Sequence, residues 1–317
     1  MNTAMTTERK RRRGQVVRRY VRFLPLYLMM VPGMIYLLIN NYIPMTGIII
    51  AFKQVNFRLG ILKSPFIGLK NFKFLFSGDA WLITRNTISY NLVFIIVTPI
   101  IAITVAILLN ELTKKRAKQF YQTVILVPYL ISIVVVSYLV YAILSTENGF
   151  LNNSILPLLG IQDKISWYSS PQYWPFILVL TQIWKGFGYS TIIYYATVVG
   201  IDKSYYEAAA IDGATRWEKV KHVTIPSLKS TIITLTLLSI GRMFYSDFGL
   251  FYQVPMNSGP LLDVTNTIDT YVYRGLMQNN NIGMSSAAGV FQSVVGFTLV
   301  LTANAIVNKV SKEDALF

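Results

Sequence analysis

Residues able to perform catalysis are few and scattered along this chain. His222 is its only histidine, and there is no cysteine, which excludes disulfides and thiolate metal sites. The sequence contains neither the H-E-x-x-H pattern of zinc hydrolases nor the G-x-S-x-G turn of serine esterases. The DKS stretch at residues 202–204 is the nearest approach to a phosphate-binding loop, but it lacks the preceding glycines. We therefore expect no catalytic residue, no metal site and no cofactor bound by this chain.

Other polar residues stand inside long apolar stretches. Lys185 and Arg242 each lie near the middle of such a stretch, and a charge at the centre of a bilayer costs about 2.5–3.5 kcal/mol. We therefore expect both side chains to face a subunit interface or water. Arg242 and Asp247 are five residues apart, a spacing that disfavours a direct ion pair on a helix. Two roles stay open: bonds between helices through helix-end carbonyls, or the lining of a polar route by Lys185, Tyr189, Arg242, Tyr245, Asp247 and Gln292.

The most distinctive polar segment is YYEAAAIDGATRWEKVKHVTIPSL at residues 205–228, which we call the island. Residues 205–211 have the composition of a short helix, with Ser204 as its N-cap and Glu207 at capping-box spacing. The Asp212-Gly213 pair then predicts a turn, because glycine adopts backbone angles that other residues resist. A second short helix is expected over residues 215–222, and Pro226 should lead into the next apolar stretch.

The island suits a docking role. Its three consecutive alanines at residues 208–210 offer a smooth face that loses almost no side-chain entropy when it docks. An amphipathic segment on the membrane surface would fit the pattern about as well. Such a segment usually carries a basic face, whereas residues 200–229 hold four acids and five cations. This balance favours a contact with another protein.

The elements around the island are those of an integral membrane protein. Of the 317 residues, 53% are hydrophobic and 14% are charged, and several apolar runs reach the ~18–20 residues that a helix needs to cross a bilayer. A soluble core of this size would not need so many such runs. We predict an all-α membrane protein with six spans, near residues 24–46, 87–109, 123–144, 174–199, 230–252 and 285–307.

The distribution of Lys and Arg orients these spans. With the N-terminus inside, the inner segments carry 19 of these residues and the outer segments carry 8, so both termini are expected in the cytoplasm. The outer segment 51–85 weakens the asymmetry with its six cations. A formal charge of +15 would suggest nucleic acid as the partner of a soluble protein. Here the basic residues 8–20 adjoin the first span, so we expect them to contact lipid headgroups and expect no nucleic-acid partner.

The spans divide the chain into a cytoplasmic basic segment 1–23, a membrane domain 24–307 with the cytoplasmic loop 200–229, and a cytoplasmic tail 308–317. No A-x-A cleavage site follows the first apolar stretch, so we expect no cleaved signal peptide. Trp174 and Tyr252, near span ends, suit the aromatic belt at the membrane surface. The small residues of SSAAGVFQSVVG, at 285–296, predict close helix packing in the last span.

The island resembles the EAA loop in membrane subunits of binding-protein-dependent ABC importers, whose pattern is E-A-A, then D-G-A, then I-x-L-P. This chain has Val223 and Ile225 as hydrophobic substitutes, and Ser230 where a second proline is common. Four further segments are similar to LplB-type carbohydrate permeases: YIPMTGIIIAFKQVNF (42–57), GLKNFKFLF (68–76), IWKGFGYSTIIYYATVVGID (183–202) and IDTYVYRGLM (268–277). The positions that the resemblance assigns to coupling are Glu207, Ala208, Ala209, Asp212, Gly213, Ala214, Ile225 and Pro226.

The resemblance implies a type I importer permease in a bacterial cytoplasmic membrane. Such a protein imports oligosaccharides or polysaccharide fragments by ATP-driven alternating access. A second, related permease would complete the pathway, two ATPase subunits would hold ATP and Mg, and an external sugar-binding protein would deliver the cargo. In this family the EAA loop docks into a cleft of the ATPase subunit. The candidates for the polar route would then line the sugar pathway, because sugars stack on aromatic faces and hydrogen-bond to planar polar groups.

Two other functional classes compete with this interpretation. A stand-alone secondary transporter or channel for a small polar solute would need no ATPase-docking loop and should move solute when reconstituted alone. An intramembrane enzyme would need acid–base or metal machinery, which the sequence lacks. Within the importer interpretation, two cations in mid-span are compatible with an acidic or a neutral oligosaccharide.

Overall fold

The computed structural model describes residues 23–76 and 78–315, and these are predominantly helical. The basic segment 1–23 therefore lies, apart from Phe23, outside the described residues. In chain order the main helices are α1 (Phe23–Phe52), α2 (Gly78–Glu111), α3 (Lys115–Leu130), α4 (Ile133–Leu144), α5 (Trp174–Val199), α6 (Lys203–Ile211), α7 (Arg216–Ser227), α8 (Lys229–Gly241), α9 (Ile268–Asn279) and α10 (Ile282–Val310).

Four of these helices, α1, α2, α5 and α10, are long and apolar enough to cross a membrane. Two bent pairs would bring the number to six if each pair is one span: α3 with α4, at 92°, and α7 with α8, at 54°. The protein is thus all-helical, as the sequence predicts. Helix α2 stays continuous through Pro99, since neighbouring helices in a membrane protein can satisfy the backbone group that a proline frees.

Two of the predicted spans are interrupted in the structure. The span at 123–144 breaks at Ile131, whose backbone is extended, so that α4 leaves α3 almost at a right angle. The span at 230–252 ends as a helix at Gly241, and a short helix, Gly249–Gln253, follows after an irregular stretch. Apolar composition predicts burial in the membrane, but it does not predict where a helix must stop.

The most extensive helix contact joins α2 to α5. Trp174, at the start of α5, is fully buried beside Tyr90, Leu250 and Phe251, and its indole nitrogen donates to the Trp167 carbonyl at 2.8 Å. The expected place of Trp174 in an aromatic belt was therefore wrong. At the other end of the pair, a second cluster contains Ala102, Ala106, Tyr194, Val198 and Leu228.

Helix α10 packs closely on its neighbours through small residues, as the sequence predicts. Ala287 and Ala288 are fully buried against the end of α1, where Ala51 is also fully buried. A Cβ atom on Gly296 would lie 2.7 Å from the Gly241 carbonyl oxygen, so α8 and α10 touch where both carry glycine. By contrast, residues 23–46 of α1 are exposed within this chain.

A buried lysine, Lys53, stabilises the fold of the segment between α1 and α2. The Lys53 ammonium donates to the carbonyls of Ile61 and Leu62 at 3.2 and 2.7 Å, and the Lys53 backbone pairs with Phe66. Short helices Gly60–Lys63 and Gly68–Phe76 complete this unit. Further short helices, Leu151–Ile155, Leu156–Leu158 and Leu262–Thr265, lie between the long ones.

Candidate functional site

The first half of the island is a capped helix, α6. Its N-cap is Asp202, whose carboxylate accepts from the Ser204 backbone N–H at 2.9 Å. The expected capping by Ser204 with Glu207 was therefore wrong by two residues: Asp202 has the extended backbone that an N-cap requires, and Ser204 is already helical. The hydrogen bond from the Ser204 backbone lowers the pKa of Asp202, so the cap stays charged at neutral pH.

The turn after α6 and the start of α7 are both held locally. Gly213 has φ +81°, a left-handed angle that glycine adopts without a steric penalty, as the Asp-Gly pair predicts. Thr215 and Glu218 then form a reciprocal capping box at the start of α7. The Thr215 backbone N–H lowers the pKa of Glu218. The box is therefore present above the ordinary pKa of a carboxyl group and is lost only as the pH falls through that lowered value.

Helix α7 is longer than the predicted 215–222 and continues past Pro226. It does so through one wide turn, Val220–Thr224, in which the Ile225 N–H donates to the Val220 carbonyl. A wide turn of this kind accommodates a residue without a backbone donor. Pro226 thus lies in the last turn of α7, whereas we had expected it to mark the entry into the next span.

The island is anchored to the membrane helices through its C-terminal end. The hydroxyls of Tyr206 and Thr224 are 2.9 Å apart, and Thr224 is buried, as is Leu228, which packs against α2 and α5. The Ala214 N–H donates to the Ala209 carbonyl at 2.9 Å, which folds the turn back on α6. The two helices of the island are therefore tied to each other and to the helices above them.

The other side of the island is exposed and apolar. Ile211 is 86% exposed and Trp217 is 70% exposed. Tyr205 and Ala208 are also exposed. Of the coupling residues that the resemblance assigned, Glu207, Ala208, Asp212, Gly213, Ile225 and Pro226 are exposed, whereas Ala209 and Ala214 are half-buried. Sequence reasoning missed Tyr205, Ile211 and Trp217, although large apolar residues in a charged loop are a signal for contact with another protein.

Lys185 sits at the break between α3 and α4. Its ammonium donates to the carbonyls of Tyr129 and Ile131 at 3.1 and 2.6 Å and to that of Pro128 at 3.5 Å. These carbonyls belong to the end of α3, where a cation is favourable because of the helix dipole. An ammonium has three N–H donors, and all three are taken. Lys185 therefore makes the interhelical contact that the sequence left as one of two possibilities.

Two tyrosines cover the same break. Tyr189 stacks on Tyr129 with ring centroids 4.7 Å apart, and both are partly open, at 49% and 44% exposure. The Lys185 ammonium lies 5.9 Å from the Tyr129 ring centroid, within the range of a cation–π contact. Tyr129 was missed from the sequence because nothing in its local pattern separates it from other aromatic residues near span ends.

The break after α8 is held by Asp269. This carboxylate accepts from the Ser246 backbone N–H at 2.6 Å, from the Ser246 hydroxyl at 2.8 Å and from the Gln292 amide at 3.2 Å. The same Gln292 nitrogen donates to the Phe244 carbonyl at 2.7 Å, and Gln292 is only 4% exposed. Gln292 thus fastens the irregular stretch to α9 and α10 instead of presenting a free amide.

The remaining candidates surround this break. Arg242 caps the end of α8 and is exposed. The expectation that it lies inside a helix was wrong. The Tyr245 hydroxyl is 3.0 Å from that of Ser293, and Asp247 accepts from the Leu250 N–H at 3.0 Å, at the start of the short helix Gly249–Gln253.

The two breaks lie next to each other. A Cβ atom on Gly249 would meet the Ile133 side chain at 2.6 Å, and Ile133 is the first residue of α4. The structure therefore brings the irregular stretch after α8 against the break between α3 and α4. Lys185 and Tyr189 border one break, and Arg242, Tyr245, Asp247 and Gln292 border the other. No group of three His, Asp or Glu residues within 23–76 and 78–315 is placed to hold a metal ion.

Replacing Asp269 by alanine should destabilise the fold measurably. The Ser246 backbone N–H would lose its acceptor in a partly buried place, and an unsatisfied buried donor costs about 1–3 kcal/mol. The Ser246 hydroxyl and the Gln292 amide would each lose one of their two acceptors. We expect a lower midpoint in thermal unfolding of the detergent-purified protein. Asp263→Ala is the matched control, because the Asp263 side chain is exposed on the neighbouring short helix. Equal midpoints for the two variants would contradict the role given to Asp269.

Comparison with known proteins gives consistent matches over nearly the whole chain. The family model described as "Binding-protein-dependent transport system inner membrane component" matches residues 100–312. Protein LplB of Bacillus subtilis (strain 168) is 36% identical to the chain, covering 91% of it and 90% of LplB. The polygalacturonan/rhamnogalacturonan transport system permease protein YteP of the same organism is 35% identical, covering 96% of this chain and 94% of YteP.

Solved structures agree with these relatives. A chain in the crystal structure of a bacterial ABC transporter involved in the import of the acidic polysaccharide alginate superposes with a TM-score of 0.83 and 31% identity. The match covers 94% of this chain and 99% of that one. A bacterial alginate ABC transporter in complex with an alginate pentasaccharide-bound periplasmic protein gives a TM-score of 0.82 at 30% identity. The chain therefore has an ABC importer permease fold and belongs to the family of inner membrane components of binding-protein-dependent transport systems.

Proposed function

We propose that this chain is one permease subunit of an ABC importer that carries oligosaccharides or polysaccharide fragments across the cytoplasmic membrane. Its membership of the importer family supports this, as do relatives named for carbohydrate transport, among them YteP and the arabinooligosaccharides permease AraP of Halalkalibacterium halodurans. The observation that carries the proposal is the island, a capped helical unit that exposes Ile211 and Trp217 on a membrane protein of this family.

The island transmits force from an ATPase subunit. Its exposed face, formed by Ala208, Ile211 and Trp217, docks into a cleft of that subunit. The Tyr206–Thr224 contact holds the two helices of the island together, and buried Leu228 joins the island to α2 and α5. Two ATPase subunits hold ATP and Mg, so this chain binds neither. When the pair closes on ATP, the docked islands move and the membrane helices tilt. Both termini and the island lie in the cytoplasm in this arrangement, as the charge distribution favours.

The sugar passes beside the two adjacent breaks. Discontinuous helices at membrane depth support transport sites, because their irregular backbone is tolerated where it lines a cavity. Tyr189 and Tyr129 offer aromatic faces, and Arg242, Tyr245 and Asp247 offer exposed polar groups. Lys185 and Gln292 hold the walls in place, since their nitrogen donors are already bonded. A second, homologous permease closes the pathway, which one such chain lines only in part.

The external sugar-binding protein docks on the outer segments 51–85, 145–173 and 253–284. Support comes from the alginate transporter whose structure contains a periplasmic protein bound to an alginate pentasaccharide. The first of these segments is a folded unit organised by Lys53, and Asn152 fastens the second by bonds to Thr146, Ile165 and Trp167. Preformed segments of this kind lose little entropy on docking.

Affinity purification of the tagged full-length chain from detergent tests the proposal. We expect an ATPase subunit and a second permease to co-purify, and we expect reconstituted complex to hydrolyse ATP faster when a sugar-loaded binding protein is added. A stand-alone transporter would behave differently. If the purified chain alone moved solute across vesicles, with no associated ATPase, the proposal would be refuted.

A further inference from the structure

Three aromatic rings form a cluster outside the apolar core. Phe248 lies against Tyr252 and Tyr273, with ring centroids 4.7 and 4.5 Å away, and the two tyrosine rings are 5.1 Å apart. All three residues are half-buried. Leu250 and Phe251, from the same short helix, point into the core with Trp174. The cluster therefore occupies the opposite side of that helix, where some aromatic surface stays accessible.

The hydroxyls of this cluster are unused. Within the described part of the chain, neither Tyr252 nor Tyr273 has a hydrogen-bond partner for its hydroxyl, and neither oxygen is a buried unsatisfied atom. A phenol on a core tyrosine normally finds a partner. Two free phenols beside accessible aromatic faces can serve an external ligand that has both apolar faces and hydroxyl groups.

Arg274 adjoins the cluster and has no acidic partner. Its guanidinium donates to the side-chain oxygens of Asn257, Asn266 and Thr270, which are all neutral. The one ion pair among residues 23–76 and 78–315 joins Lys164 to Glu147. Burial lowers the pKa of Arg274, and the electrostatic interaction with neighbouring Tyr252 opposes that shift. These three neutral acceptors orient the guanidinium and use three of its five N–H donors. Among the described residues, two N–H donors are left without an acceptor, and the positive charge is left without a negative partner.

The loop that holds Arg274 is strained. Met256 and Asn257 have φ of 54° and 48°, left-handed angles that are uncommon for residues other than glycine. Asn257 uses its side-chain oxygen to accept from Arg274 at 2.9 Å. Backbone strain of this kind persists where the surroundings hold it, often at binding sites. Here it places an acceptor on one edge of the guanidinium.

We propose that Phe248, Tyr252, Tyr273 and Arg274 form a subsite for a sugar residue that carries a carboxylate. The C–H face of the sugar ring packs on the aromatic rings, the free phenols hydrogen-bond to its hydroxyls, and Arg274 pairs with its carboxylate. A charge-assisted bond to a half-buried guanidinium is stronger than a bond between neutral groups. The subsite rests on the proposed function, and it deepens that function by selecting acidic over neutral saccharides.

The test compares Arg274→Gln with wild type in the complete transporter, reconstituted with its binding protein. The probes are a galacturonic acid trisaccharide and the matching neutral galactose trisaccharide. We expect the KM for uptake of the acidic trisaccharide to rise about 10-fold or more, with little change for the neutral one. Arg116→Gln is the matched control, because Arg116 is an exposed arginine on α3 and lies outside the subsite, the island and the segments proposed to dock the binding protein.

Tyr252→Phe is the second variant, because it removes only a hydroxyl without a partner and should leave folding unchanged. We expect it to raise the KM for the acidic trisaccharide about 3-fold or more. Normal KM values in both variants would overturn the subsite. It would also be overturned if Arg274→Gln raised the KM equally for both trisaccharides and weakened the affinity of the transporter for its binding protein by the same factor. Failure of either saccharide to stimulate wild-type ATP hydrolysis would instead count against the proposed function.

Discussion

Replacing Ala208 or Ile211 by aspartate is expected to abolish the sugar-stimulated ATP hydrolysis of the assembled transporter while leaving the chain in the membrane. Both residues are exposed on the outward face of α6, and Ile211 is 86% exposed, so neither change disturbs packing within the chain. A carboxylate on this face would have to lose its hydration in a protein cleft, which costs several kcal/mol unless it is paired. The measurement is ATPase activity in proteoliposomes with and without sugar-loaded binding protein.

Ala210→Asp is the control for the same helix. Ala210 is also exposed, but it is rotated away from the face that contains Ala208 and Ile211, given the 3.6 residues of a helical turn. We expect it to retain most of the stimulated activity. Gly213 and Ala209 are less suitable sites for this test, because Gly213 has a left-handed backbone and Ala209 is half-buried. Normal stimulation in Ala208→Asp and Ile211→Asp would exclude the island as the coupling element.

Among glycine-to-alanine changes in the helices of this chain, Gly188→Ala is expected to cause the largest loss of stability. A Cβ atom at Gly188 would lie 1.8 Å from the carbonyl oxygen of Ile125 and 2.6 Å from its carbon. Both atoms are backbone, so α3 and α5 would have to separate. Overpacking typically costs about 1–3 kcal/mol, and more where the backbone must move. The separation would also pull Lys185 from the carbonyls at the end of α3.

Gly186→Ala gives a matched comparison two residues away on the same helix. A Cβ atom there would meet nothing within 4 Å, and alanine is a better helix former than glycine by about 1 kcal/mol. We expect Gly186→Ala to unfold at the wild-type temperature or above it, and Gly188→Ala to unfold well below it or fail to accumulate. Thermal unfolding of both variants in detergent measures the difference. Equal stabilities would mean that α3 and α5 can move apart without cost.

Local sequence patterns were sufficient for the elements that depend on local interactions. The length of the apolar runs predicted an all-helical membrane protein, because crossing a bilayer requires about 20 apolar residues whatever the neighbours are. The Asp212-Gly213 turn was predicted correctly, since its left-handed glycine is a property of one residue. The start of α5 at Trp174 was also predicted to the residue. The capping of α6 was misplaced, because Asp202 and Ser204 are both good N-caps and only the backbone angles separate them.

Features that depend on distant parts of the chain were not accessible to sequence reasoning. Nothing in the sequence near Lys185 indicates that its ammonium donates to carbonyls more than fifty residues earlier in the chain. Likewise, nothing near Asp269 indicates that its carboxylate accepts hydrogen bonds from Ser246 and Gln292. For the same reason, the sequence did not distinguish a buried Trp174 from one in an aromatic belt.

The sequence by itself determined the class of this protein: a helical membrane chain with one polar, balanced-charge island at a fixed place between two apolar stretches. The tertiary structure alone decided where spans break, which polar residues are occupied in holding those breaks, and which face of the island is open. The physical reason is that hydrophobic burial and turn conformation are set within a few residues, whereas hydrogen-bond partners and close helix contacts are supplied by segments far away in the chain.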